Sequence, residues 1–373
     1  MANNHFDLAV VGAGVLGLAH ALAAARMGLA VAVIDRDARA NGASVRNFGL
    51  VVVSGQQAGE GLTLARRTRA LWQELAAEAG IAIVQRGMLV AAQRPEAMAV
   101  LEAFAQTEIG EACTLYGRRD ALTRWPVLGE GIVGALWSPH ELRMESRTAI
   151  PRFAAFLAEQ HGVTFVQAGV TAVEPGRVVT TGGPLTAERI VVTPGDDLHT
   201  LFADRLAASG VTRCKLQMLR VVDPALAALP CAVITDLSLL RYGGFADLPE
   251  TATLAVRLRK EQPVHLENGV HLITVRSEDG SLVLGDSHHY GPSPDPFASA
   301  QVDDLILSEY GALFGHAPPQ VTERWIGTYA SAPDRALLID RVDATIRLVV
   351  VTSGTGASTG LAIGEQVVAE LFG

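Results

Sequence analysis

The sequence predicts an α/β nucleotide-binding domain of the Rossmann type, assembled from both ends of the chain, around a β-rich domain. Three observations predict it. Residues 6–35 read as a buried strand, a glycine turn, a helix and a second buried strand ending in an acid. Residues 346–372 read as a buried strand running through another glycine turn into the last helix. The stretch between, above all residues 221–323, is mostly β-like with short loops.

The first stretch is the most specific. Phe6-Asp7-Leu8-Ala9-Val10-Val11 leads into Gly12-Ala13-Gly14-Val15-Leu16-Gly17, a G-x-G-x-x-G fingerprint. Gly12 makes the turn, Gly14 lets backbone approach a pyrophosphate, and Gly17 lets the helix pack close to the sheet. The helix start at Val15 and Leu16 points free N–H groups and a positive dipole end at the phosphates. Asp35 ends the second strand, where a carboxylate can take a ribose hydroxyl pair, with Arg36 beside it. A bound dinucleotide is expected.

Composition bounds the rest. The chain has 373 residues, more than one core usually serves, so two connected domains are expected. With 49% hydrophobic and 18% charged residues it is a packed globular protein. A net charge of −9 speaks against general nucleic-acid binding but allows a local basic pocket. Lys215 and Lys260 are the only lysines, so any anion clamp must be mostly arginine. That usage suits carboxylate or phosphonate recognition, and codon composition explains it equally well. Cys113, Cys214 and Cys231 have neither CxxC nor metal spacing, which suggests a reducing compartment, no disulfide framework and no metal. The N-terminal apolar run is the first strand, so no signal peptide is read, and no run is long enough for a membrane span. A cytoplasmic location is expected.

After Asp35 the small residues Gly42, Ala43 and Ser44 suit a chain passing close to a cofactor, with Ser44 as a helix cap or phosphate contact. Residues 58–78 carry Leu62, Ala65, Leu71, Trp72 and Leu75 at helical spacing. Residues 81–92 read as a strand and 95–109 as a helix. Residues 128–136 read as a strand, followed by a loop at 137–141 and a helix over 144–161. Residues 162–170 form a strand leading to a small-residue turn, and 187–195 a short buried strand closing on Pro194-Gly195. Residues 270–276 and 282–285 flank Glu278-Asp279-Gly280, a hairpin signal. Residues 298–314 are helical. After the strand at 346–352, Gly354-Thr355-Gly356-Ala357-Ser358-Thr359-Gly360 opens a final helix over 361–372. Such a turn can stabilise negative charge on a ligand.

The fingerprint followed by Gly42-Ala43-Ser44 and Asn47-Phe48-Gly49 resembles the FAD-dependent amine oxidases of the D-amino acid oxidase superfamily, which includes glycine oxidase and sarcosine oxidase. The resemblance spans essentially the whole chain. It implies an α/β Rossmann-like FAD-binding domain over residues 1–88, 144–220 and 324–373, and an α+β substrate-binding cap with a large antiparallel sheet over 89–143 and 221–323. It implies that Arg46, Asn47 and Phe48 follow the flavin-contacting turn and that Val170 lies against the adenine. Pro194 and Gly195 would form a second glycine turn near the dinucleotide. Gly327 and the run Gly354, Gly356, Ala357, Ser358 and Thr359 would close around the flavin. FAD is expected over NAD because a simple nicotinamide dehydrogenase has no role for the last glycine helix. The FAD is expected to be noncovalent, since no cysteine lies near Trp325–Tyr329, where the sarcosine branch places its covalent link.

The resembled reaction removes a hydride from the carbon beside an amine and leaves an imine for water to hydrolyse. It needs orientation more than a strong base. Two departures stand out. Val283 replaces the lysine of the sarcosine branch's Leu-Lys-Leu-Gly, which leaves oxidase or dehydrogenase, and oxygen or another electron acceptor, open. Tyr329-Ala330 stands where the superfamily often has a carboxylate-binding Arg-Pro. Ala43–Gly49, Thr193–Leu198, Lys215–Met218 and Gly285–His288 together resemble a subgroup associated with bacterial phosphonate use. By that resemblance the substrate is a small anionic amine, 2-aminoethylphosphonate or its N-methyl form, giving an aldehyde and an amine. Arg46, His288, His289 and His271 are the expected catalytic and substrate-binding residues. The histidines are expected to hold the anion when protonated, so affinity should weaken as pH rises. The alternatives are a glycine, sarcosine or D-amino acid oxidase or dehydrogenase, an NAD-dependent dehydrogenase, and a flavin-binding subunit without turnover.

Overall fold

The computed structural model describes residues 5–373. Two sheets organise it. The first has the order Leu337–Arg341, Ile346–Val351, Gly183–Val192, His5–Val11, Val31–Asp35, Thr164–Gln167, with Val170–Glu174 and Arg177–Thr180 attached. Its four central pairings are parallel. Helices cover its faces, so its strands are continuous apolar runs and not alternating ones; Val10, Val33 and Val191 are all fully buried.

Helix Val15–Arg26 follows the first strand and packs against the last helix, Gly356–Phe372. They touch closely: a Cβ on Gly364 would fall 2.6 Å from the Ala19 carbonyl carbon. A Cβ on Gly17 would overlap the Gly12 carbonyl oxygen, so the turn and its helix leave no room for a side chain there. Both ends of the chain thus build one layer system, as the two glycine turns predict.

The second sheet runs His289–Gly291, Thr212–Val221, Leu282–Gly285, Ile273–Arg276, Ala232–Ile234, Ile83–Ala92, Gly134–Met144, Leu50–Val51. Val321–Ser331 pairs along the whole of Thr212–Val221. Both strands therefore lie in the second sheet. The 273–285 hairpin forms as expected, with Arg276 opposite Leu282.

Several elements differ from the sequence expectation. Residues 221–323 are not mostly β: they hold helices Asp236–Leu239, Gly243–Ala246, Thr251–Glu261, Pro263–Glu267 and Ala300–Phe314. Two of these have only four residues, too short for a helical period to register. Residues 137–141 are not a loop, and Met144 does not start a helix. One strand runs from Gly134 to Met144, and the helix is Ser146–His161. Pro139 is tolerated because the pairing register slips between Arg86 and Met88, where a missing N–H breaks no ladder. Helix Pro95–Phe104 ends before residue 109, and the last helix begins at Gly356, inside the glycine turn. The strand read at 187–195 is Gly183–Val192.

Candidate active site

A cavity lies between the two sheets, lined by residues of both. Counting the open solvent at its mouth, it encloses about 1340 Å³ of empty space. One end is built from main chain. Gly14, Val15, Leu16 and Gly17 line it from the first glycine turn, Ala43 to Phe48 from the following loop, and Gly354 to Ser358 from the last. The helices starting at Val15 and Gly356 have no side-chain cap of their own and no acid in their first turns. Two positive dipole ends thus face one space, which fits a dinucleotide's anionic groups.

The sequence explains how this end is held. Ser44 Oγ accepts from Val15 N at 2.9 Å, capping the helix from another loop. Asn47 ties the loop to itself, donating to Ala43 O and accepting from Gly49 N, both at 2.6 Å. Ser358 Oγ accepts from Val52 N at 2.9 Å. Phe48 is buried beside it. At Gly327 a Cβ would press on the Arg46 carbonyl oxygen at 3.1 Å, and at Gly354 on the Tyr329 ring at 3.0 Å.

Other expected cofactor residues lie outside the cavity wall. Gly12 turns behind it at φ +106. Asp35 Oδ2 accepts from Ala13 N at 2.6 Å, so its carboxylate braces the fingerprint turn. Arg36 is exposed and pairs with Asp197 at 3.2 Å. Val170 is half-buried just past the pairing of Asp35 with Gln167. Of the Pro194-Gly195 turn only Gly195 reaches the cavity. Thr359 is buried and donates to Thr355 O at 3.1 Å.

The other end of the cavity is polar and belongs to the second sheet. Asp286 lies between two imidazoles: Oδ1 is 3.0 Å from His271 Nε2, and Oδ2 is 3.6 Å from His288 Nε2. The rings stack with centroids 5.2 Å apart. His271 Nδ1 is 3.0 Å from Ser238 Oγ, and His288 Nδ1 is 2.9 Å from Gly269 O. A carbonyl only accepts, so His288 Nδ1 carries the hydrogen, and in the neutral ring Nε2 is a bare lone pair. Burial drives His288 down to about 3, more than Asp286 beside it raises it. Burial raises the Asp286 carboxyl, but His288, His271 and Arg241 together outweigh it and hold it low. At neutral pH the wall therefore presents an ionised carboxylate and a neutral imidazole. The three residues' ligand atoms lie within 4.8 Å of one another, spacing that suits a cation.

This corrects the expectation that protonated histidines hold an anion. Desolvation keeps His288 neutral, and His289 faces away from the cavity with Nε2 3.2 Å from Asn268 Oδ1. Arg46 lines the cavity, but its guanidinium reaches outward to Ile326 O and Asn41 Oδ1, both at 3.4 Å.

The positive group is Arg241, which no sequence pattern singled out. It follows the four-residue helix Asp236–Leu239 and lines the same cavity. Its guanidinium donates to the hydroxyls of Tyr290 at 3.0 Å and Tyr329 at 2.9 Å. Among the described residues it touches no carboxylate within ion-pair distance. Burial opposes its charge, yet the surrounding groups, Tyr329, Tyr290 and Asp286, hold it protonated. The only sequence signal was indirect: Tyr329 in place of an arginine.

Comparison with known proteins gives three findings. The family model described as FAD dependent oxidoreductase (DAO) matches residues 7–371. No curated protein matches the sequence. Solved structures of similar fold include glycine oxidase from Bacillus cereus, at 18% identity and TM-score 0.78, covering 98% of this chain and 94% of that one. Glycine oxidase from Geobacillus kaustophilus has 21% identity and TM-score 0.77, with 98% and 94% covered. Iminodiacetate oxidase from Chelativorans sp. has 20% identity and TM-score 0.72, with 98% and 95% covered.

Proposed function

The chain belongs to the FAD dependent oxidoreductase family, and from that premise we propose that it oxidises the C–N bond of a small zwitterionic amine, 2-aminoethylphosphonate or its N-methyl derivative. FAD fits the main-chain end of the cavity, where Gly14 to Gly17, Ser44 to Phe48 and Gly354 to Ser358 would hold it. When bound it supplies the acceptor for the hydride that leaves the carbon beside nitrogen.

One observation carries the substrate reading. The cavity is bipolar, with a guanidinium that among the described residues has no carboxylate at ion-pair distance and a buried ionised carboxylate in the same wall. A zwitterion satisfies both poles. Arg241 offers a planar fork that matches two phosphonate oxygens. Asp286, whose Oδ1 has no well-aligned donor despite its close imidazole, takes the ammonium. His271 Nε2 stands against the carboxylate at 3.0 Å, while Ser238 and Gly269 fix the two rings. Tyr242 packs edge-on against His271 at 5.8 Å and limits water access from that side.

The residues' chemical task is then orientation and charge. The ammonium gives up one proton to solvent, the C–H electron pair departs as hydride, and the protonated imine that results takes up water to give the aldehyde and ammonia or methylamine. Holding both ends of a short molecule confines the reacting carbon, the kind of positioning that supplies much of such a rate. That glycine and iminodiacetate oxidases share the fold supports a small amine. The phosphonate end rests on Arg241 and on the resemblance of the loop sequences. The test is a turnover panel of both aminophosphonates, glycine, sarcosine and D-alanine, with the aldehyde product identified. Preference for the aminophosphonates supports the reading. Preference for an amino acid overturns it.

A further inference from the structure

A second space shares Arg46 with the cavity. Four arginines line it, Arg39, Arg46, Arg147 and Arg324, together with Trp325. No acidic residue lines it among the described residues. This is notable in a chain whose net charge is −9. Arg147 lies over the Trp325 ring, 4.8 Å from its centroid, and pairs with Glu323 at 2.7 Å. Arg324 pairs with Asp303 at 2.6 Å. The other two are uncommitted: Arg46 meets only neutral acceptors, and exposed Arg39 is in no ion pair among the described residues.

We propose that this groove is a second anion site, built for a small dianion of the phosphate or phosphonate type. Like charges facing one space repel each other, and a bound dianion removes that repulsion. Guanidinium forks match tetrahedral oxyanions, and two of the four have donors to spare. Arg46 lines both spaces, so an anion seated in the groove and one in the cavity share a residue. The site follows from the groove alone. Its occupant is either the anionic substrate on its way in, which rests on the aminophosphonate reading, or free phosphate acting as an effector.

The test is calorimetric titration of inorganic phosphate into the FAD-loaded protein. Wild type should bind phosphate at a place that Arg241→Gln leaves intact. Arg39→Ala with Arg324→Ala should weaken that binding by about ten- to a hundredfold, the scale of one or two lost charged contacts. An unchanged flavin spectrum checks the fold. Because Arg324 holds Asp303, the single variant Arg39→Glu is run beside it, and it should weaken the same binding by reversing an exposed charge. Phosphate binding abolished by Arg241→Gln alone, or untouched by both groove variants, would overturn the site. Competitive inhibition by phosphate, relieved in Arg39→Glu, identifies the groove as the substrate's entry. A change in kcat without competition identifies it as an effector site. Phosphate binding in the groove of an enzyme that prefers amino acids would leave the site standing and remove the aminophosphonate reading.

Discussion

Arg241 Nη2 donates to the Tyr329 hydroxyl at 2.9 Å. Position 329 is where the sequence lacks the arginine expected of a carboxylate clamp. A guanidinium reaches that hydroxyl from a different element, so the cavity keeps a positive pole without an arginine on strand Val321–Ser331.

Arg241→Gln should therefore act on the anionic end of the substrate. Losing a charge-assisted contact costs about 1.5–3 kcal/mol, so kcat/KM for 2-aminoethylphosphonate should fall roughly ten- to a hundredfold or more. An amine of the same length without the phosphonate should lose much less. Equal losses for both would mean that Arg241 only props up Tyr290 and Tyr329.

Asp286→Asn keeps the shape of the opposite pole and removes its charge. The prediction is weaker binding of zwitterionic substrates and little change in binding of inorganic phosphate. Steady-state kinetics and phosphate inhibition on the same variant separate the two effects. A loss of phosphate binding as large as the loss of substrate binding would place Asp286 outside the ammonium site.

The cofactor end carries its own prediction. Acid precipitation should release the yellow colour to the supernatant, since no cysteine lies near Trp325–Tyr329. Asp35→Ala removes a carboxylate that would take the ribose hydroxyls and that accepts from Ala13 N at 2.6 Å. FAD affinity should fall about ten- to a hundredfold with the fold intact. Unchanged retention in a flavin titration would exclude Asp35 from the site.

His20 reports on stability. It is fully buried, and burial lowers it to about 4, although Leu16 O holds its Nδ1 at 2.6 Å. The unfolded chain binds a proton near pH 6.5 and the folded chain only near 4. Stability is therefore lost as pH falls through that window, by up to about 3 kcal/mol from this group. In denaturant unfolding, His20→Leu should lose less stability than wild type between pH 7 and pH 4. Identical losses would show that His20 is not titrating in that window.

The nucleotide end of this molecule was legible because its signals are local. Gly12, Gly14 and Gly17 stand within one turn, and the acid at Asp35 is set by the length of one strand–helix–strand unit. The last glycine helix was legible for the same reason. The polar end was not. Arg241 and Asp286 are far apart in sequence and meet only because the 273–285 hairpin and the helix before Arg241 converge on one wall. His288 and His289 did stand out, but a sequence cannot tell which of the groups around them is desolvated. Burial made His288 neutral and turned His289 away, leaving Asp286 as the charged member.

The proposed task of the cavity is to position a zwitterionic aminophosphonate for hydride loss. Anaerobic mixing of the FAD-loaded enzyme with candidate substrates tests this most directly, by following the loss of the yellow flavin band in a single turnover. The account predicts rapid bleaching by 2-aminoethylphosphonate or its N-methyl derivative, slowed strongly in Arg241→Gln, and slower bleaching by glycine, sarcosine and D-alanine. Rapid bleaching by an amino acid with none by either phosphonate would contradict it.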